Sequence, residues 1–67
     1  MFDFVFSNSY IDVKYQGRLY LEESYDTLKR MMEDGTPTIT VRVVDFTGIG
    51  SDVKTFNKED ISYYGSN

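Results

Sequence analysis

YIDVKYQGRLYLEESY, residues 10–25, carries a tyrosine at every fifth position: Tyr10, Tyr15, Tyr20 and Tyr25. Strand side chains repeat every two residues and helical ones every 3.6, so a spacing of five needs turns that reset the phase. Gln16-Gly17 supplies one. A two-residue loop there would set Leu19 against Lys14 and Leu21 against Asp12, splitting the apolar face. A three-residue loop, Tyr15-Gln16-Gly17 with Gly17 left-handed, sets Val13 opposite Leu19 and Ile11 opposite Leu21. Burial selects this second register, because a one-residue slip turns every side chain over. Tyr10 and Tyr20 then lie on the face away from the aliphatics, Tyr15 sits in the turn, and Tyr25 opens a helix. The five-residue spacing is a by-product of the turns.

On the N-terminal side, FDFVFS alternates Phe2, Phe4 and Phe6 against Asp3, Val5 and Ser7, which is a strand pattern. Asn8-Ser9 serves as its hairpin turn, with Phe6 opposite Ile11, Phe4 opposite Val13 and Asp3 opposite Lys14. On the C-terminal side, Ser24 is an N-cap, Asp26 lies near the positive helix end, and Gly35 ends the helix ahead of Pro37. Tyr25, Leu28, Met31 and Met32 form its apolar stripe, with Lys29, Arg30, Glu33 and Asp34 facing water. The two methionines read as gap-filling core.

TITVRVVDF (residues 38–46) is the strongest strand. Ile39, Val41 and Val43 share one side, while Val44 and Phe46 switch parity through a bulge or a second partly apolar face. As an open edge it would be a pairing hazard. A loop over residues 48–51 sets Asp45 opposite Lys54 and Val43 opposite Phe56, and a turn at NKED leads into ISYY. The expected fold is one α+β domain over residues 1–67: an antiparallel meander, one helix on one sheet face, then a second strand pair, in the order βββαββ with room for a short last strand.

Composition narrows the chemistry. The 67 residues hold no Cys and no His. The commonest general base, the thiol nucleophile and the usual zinc sets are therefore missing, and no disulfide framework is expected. A net charge of −4, with no basic run, disfavours nucleic acid. The N-terminal MFDFVFSNS carries Asp3, lacks a basic segment and is too short to span a bilayer. Cytoplasmic placement without membrane contact is expected.

Glu22-Glu23, Glu33-Asp34 and Glu59-Asp60 are neighbours on strands or turns, where carboxylates diverge or stay solvated. TGIGSD lacks the lysine and the helix of a phosphate loop. Counted as a calcium loop from Asp45, the segment puts Phe56 where a bidentate Glu belongs. No catalytic residue, cofactor or metal is expected.

The uncovered sheet face is the better candidate. Scattered surface tyrosines need no partner on a monomer, yet tyrosine is favoured at interfaces for its large area and few torsions. The candidate protein-interface residues are Tyr10, Tyr20, Val44, Phe46, Val53, Tyr63 and Tyr64; in a strand only one of the last two can share the outer face. The expected function is a small non-enzymatic binding module whose partner is a protein, the chain itself included as a homo-oligomer. The alternative is a small anionic ligand such as a nucleotide, held between subunits by Arg18, Arg42 and Lys54.

GRLYLEESYDTLKRMM (residues 17–32), TITVRVVDF (38–46) and FNKEDISYY (56–64) together resemble small phage and prophage proteins of Gram-positive hosts. The likeness is one of pattern and size over most of the chain. It implies a bacterial cytoplasm and a role against a host or defence protein, and it carries over no functional residue.

Overall fold

The computed structural model describes residues 8–44 and 50–66. Five strands and one helix follow in the order β1 (Ser9–Val13), β2 (Gly17–Leu21), α1 (Tyr25–Glu33), β3 (Thr38–Val44), β4 (Ser51–Asn57) and β5 (Ile61–Ser66), with a 3-10 turn, Lys58–Asp60, between β4 and β5. All pairings are antiparallel and the sheet order is β4-β3-β2-β1-β5. Among the described residues the fold is α+β with one α-helix, as expected. Among the same described residues the order of elements differs from βββαββ: two strands precede the helix and three follow. The expected strand over residues 2–7 lies outside the described residues.

Asn8-Ser9 is not a turn. Ser9 opens β1, paired with Leu21 on one side and Ser66 on the other, and the Asn8 N–H reaches the Leu21 carbonyl at 3.0 Å. The edge of β1 assigned to Phe4 and Phe6 is occupied by β5, which sets Tyr64 opposite Ile11 and Ile61 opposite Val13. Thus the last strand crosses back to β1.

The β1–β2 register is two residues from the expected one. Ile11 faces Leu19, Val13 faces Gly17, and Asp12 faces Arg18. A slip of two keeps every side chain on its face, so aliphatic burial alone does not choose between the registers. The Asp12–Arg18 pair does: its Nε–Oδ1 distance is 2.9 Å. The Gln16 N–H bonds the Val13 carbonyl at 3.1 Å, closing a turn whose third position, Tyr15, has φ 69°; Gly17 follows at φ 83°. Positive φ at that position is the type II requirement, which glycine or asparagine meets more readily than tyrosine.

β3 and β4 also slip, by four residues: Ile39 pairs with Phe56, Val41 with Lys54 and Val43 with Asp52. Parity is again preserved. The observed register brings Phe56 into the core opposite Ile39 and lets the Lys58 N–H reach the Pro37 carbonyl at 2.9 Å. Paired with β4 along its length, β3 is not an open edge.

The helix is built as its sequence suggests. The Ser24 hydroxyl accepts the Thr27 N–H, and Gly35 takes φ 88° just past the C-cap Asp34. Leu28 is fully buried, Tyr25, Met31 and Met32 are half-buried, and Lys29, Arg30, Glu33 and Asp34 are exposed.

Chain reach requires the sheet to curl. Flat, β4 and β5 would stand about 19 Å apart at the usual strand spacing. The four Cα steps from Asn57 to Ile61 cover at most about 15 Å. The sheet therefore curls, and the Lys14 N–H meets the Asp60 carbonyl at 2.8 Å at the end of the Lys58–Asp60 turn. Ile11, Val13, Leu21, Leu28, Ile39, Val41 and Phe56 form the core inside the curl. Odd-numbered residues of β1, β2 and β3 point inward, and their even neighbours form the outside.

Candidate functional site

The outside of β1 carries Tyr10 and Asp12, and that of β2 carries Arg18 and Tyr20, because Ser9, Ile11, Val13 and Leu21 are buried between them. In β5 the pairs Tyr10–Gly65 and Asp12–Tyr63 put Gly65 and Tyr63 on this same outer side. Tyr64 faces the other way and stacks on the helical Tyr25, ring centroids 6.2 Å apart. Of the two adjacent tyrosines, Tyr63 is the outer one.

Three phenols thus meet across three strands. Tyr10 stands edge-on to Tyr20, with centroids 6.4 Å apart, and is tilted against Tyr63 at 6.1 Å. The Tyr10 ring lies across Gly65, where an added Cβ would come within 2.7 Å of its hydroxyl oxygen. This is an aromatic side chain covering a strand glycine. On the ring's face, the Arg18 guanidinium sits 4.0 Å from the centroid. Tyr10 thus has Arg18 over its ring and Gly65 beneath its hydroxyl end.

Arg18 is itself held. Its Nε and Nη2 donate to the two carboxylate oxygens of Asp12 at 2.9 and 3.2 Å. This two-point fork suits the planar guanidinium. The Arg18 hydrogen bonds hold the Asp12 carboxyl below the usual carboxylate range, and the same bonds raise Arg18 further above its ordinary value. The pair is surface-exposed, so its contribution is geometric: it fixes where a flat cation lies over the Tyr10 ring. Tyr63 is 58% exposed, whereas Tyr10 and Tyr20 are half-buried by one another and by their neighbours.

The remaining expected residues are spread more widely. Val44 follows the Leu21–Val43 pair on the outer side of β3, and Val53, opposite Arg42, lies outside on β4 at 65% exposure. Phe46 lies outside the described residues. Tyr64 does not belong to the face. The three candidate anion contacts do not converge: Arg18 is forked to Asp12, Arg42 projects from the outside of β3, and Lys54 shares the opposite side with Phe56.

Two acids have structural partners. Both Glu23 carboxylate oxygens accept the Arg42 N–H at 3.1 Å, and the Glu22 N–H donates to the Arg42 carbonyl at 3.0 Å. Asp34 accepts from the Thr36 N–H at 2.9 Å and from the Lys58 ammonium at 2.8 Å. Lys58 foremost, then Thr36, hold its carboxyl well below the usual range. Among the described residues no group of three or more potential ligands could hold a metal ion, and no helix is long and apolar enough to cross a membrane.

Sequence reasoning placed Tyr10 and Tyr20 outside by parity and left open which of Tyr63 and Tyr64 joins them. It missed Asp12, Arg18 as a clamp, and Gly65. The missed signal was the Asp12–Arg18 charge pair, which distinguishes two hairpin registers that bury the same aliphatics. No protein-family model matches the chain, and comparison with curated proteins and with solved structures returned no match.

Proposed function

We propose that this chain is a small non-enzymatic binding module that presents its tyrosine face to a protein partner and works as a homo-oligomer. One observation carries the reading: Tyr10, Tyr20 and Tyr63 are gathered on the outside of the sheet beside a forked Arg18. Tyrosine and arginine are the residue types that dominate interface energetics, and side chains already held in place lose little entropy on docking. The likeness to phage and prophage proteins supports a host or defence protein in a bacterial cytoplasm as that partner.

The test is capture from a bacterial lysate on the immobilised protein, compared with Tyr20→Ala. The variant keeps its circular dichroism and loses the captured protein. Equal capture by both would sink the proposal.

A further inference from the structure

The two edges of the sheet differ in a way that points to a second copy of the chain. β4 (SDVKTFN) carries Asp52 and Lys54, charges of the kind that discourage edge-to-edge pairing. β5 (ISYYGS) carries no charge and no proline, is rich in residues that favour strands, and among the described residues pairs on one side only, with β1. Such a segment is a template for another strand. We infer that the outer edge of β5 pairs antiparallel with β5 of a second copy, joining two protomers into one continuous outer face. The inference rests on the binding-module reading, and it specifies how the homo-oligomer is built.

Three features favour a second copy as the occupant. An antiparallel strand is its own complement about a two-fold axis, so the same patch serves both partners. The uncharged edge sets no like charges opposite one another, although each protomer carries a net charge of −4. Face parity does the rest. Directly opposed residues of an antiparallel pair point to the same side, so the outward Tyr63 must meet Tyr63 or Gly65 of its mate. Either register places the two Tyr63 rings side by side or two residues apart. The tyrosine clusters of both protomers then merge while remaining open to a further partner.

The experiment is light scattering with backbone hydrogen exchange on the full chain across a concentration series. The expected mass rises to twice the protomer's, and alternate β5 amides, those pointing away from β1, slow by about tenfold or more as dimer forms. Tyr63→Lys, which brings two cations together at the axis, shifts the transition to higher concentration, whereas Tyr20→Ala leaves it unchanged. A doubled mass with β5 exchange independent of concentration overturns the edge pairing, as does loss of the dimer in Tyr20→Ala. A protomer mass at every concentration overturns it too. Lysate capture by the tyrosine face is a separate readout, so either idea can fail alone.

Discussion

Outside β5, β1 and β2 the side chains meeting in register are Tyr63, Asp12, Arg18, Tyr10 and Tyr20. Outside β3 and β4 they are Thr38 with Asn57, Thr40 with Thr55, Arg42 with Val53 and Val44 with Ser51. The inner faces of the two halves are alike, because one core demands aliphatics from both. On the outside, the β3–β4 half shows an ordinary solvated pattern, with a threonine pair bonded hydroxyl to hydroxyl at 2.9 Å. The other half spends three large aromatic rings where folding requires none. That difference is the reason for assigning recognition to β5, β1 and β2.

The halves meet narrowly. Among the described residues, strand pairing between β2 and β3 is the single pair Leu21–Val43, extended by Glu22 and Glu23 on Arg42. Leu21 is fully buried at this join. Leu21→Ala is therefore the most damaging change, costing about 2–5 kcal/mol. A domain of this length has only about 3–10 kcal/mol to lose. Urea denaturation at 25 °C measures it. A loss below 1 kcal/mol would show that the halves do not depend on one another.

Glu23→Ala removes the carboxylate that completes the β3 edge at Arg42. The expected loss is about 1–3 kcal/mol. The Arg42 amide should exchange faster while amides in β1 and β5 do not, which localises the damage to the join.

The acid limb separates the halves by their ion pairs. Asp12 is held low by Arg18 within β1–β2, and Asp34 is held low by Lys58 and Thr36 between the helix end and the turn after β4. A depressed folded-state value gives stability that is present above the unfolded value, about pH 3.9, and is lost as pH falls through the folded one. Stability should be flat above about pH 5 and decline below pH 4. Lys58→Met should flatten that decline more than Arg18→Met, since Asp34 is the more strongly shifted. Urea midpoints from pH 2 to 6 decide it.

Gly65→Ala pushes against the far end of the Tyr10 side chain, which can swing aside. Its cost should stay near 1 kcal/mol, but ring-current shifts at Tyr63 and Arg18 should change. Tyr15→Asn is the smallest: Tyr15 is fully exposed at φ 69°, and asparagine tolerates that conformation better. A gain of about 0.5 kcal/mol in thermal unfolding is expected, with no effect on the tyrosine face.

Local pattern made much of this legible. The Ser24 cap, the Gly35 stop, the Leu28 stripe, and the outward placement of Tyr10 and Tyr20 follow from period and turn chemistry. Errors of another kind arose at registers and partners. The β1–β2 and β3–β4 registers were displaced by two and by four residues, and the partner of the last strand was left open. Even-numbered slips leave every side chain on its face, so a reading based on burial has no signal against them.

The sequence by itself determined which side chains turn inward, where the helix starts and stops, and that neither histidine nor cysteine is on hand for chemistry. Only the tertiary structure decided that β5 returns to β1, that Tyr63 thereby joins Tyr10 and Tyr20, and that Asp12 locks Arg18 beside them. Parity is a local property of the backbone, carried by each strand alone. Strand partnership is not: it depends on chain reach through the Lys58–Asp60 turn and on contacts some fifty residues apart, which no window along the chain contains.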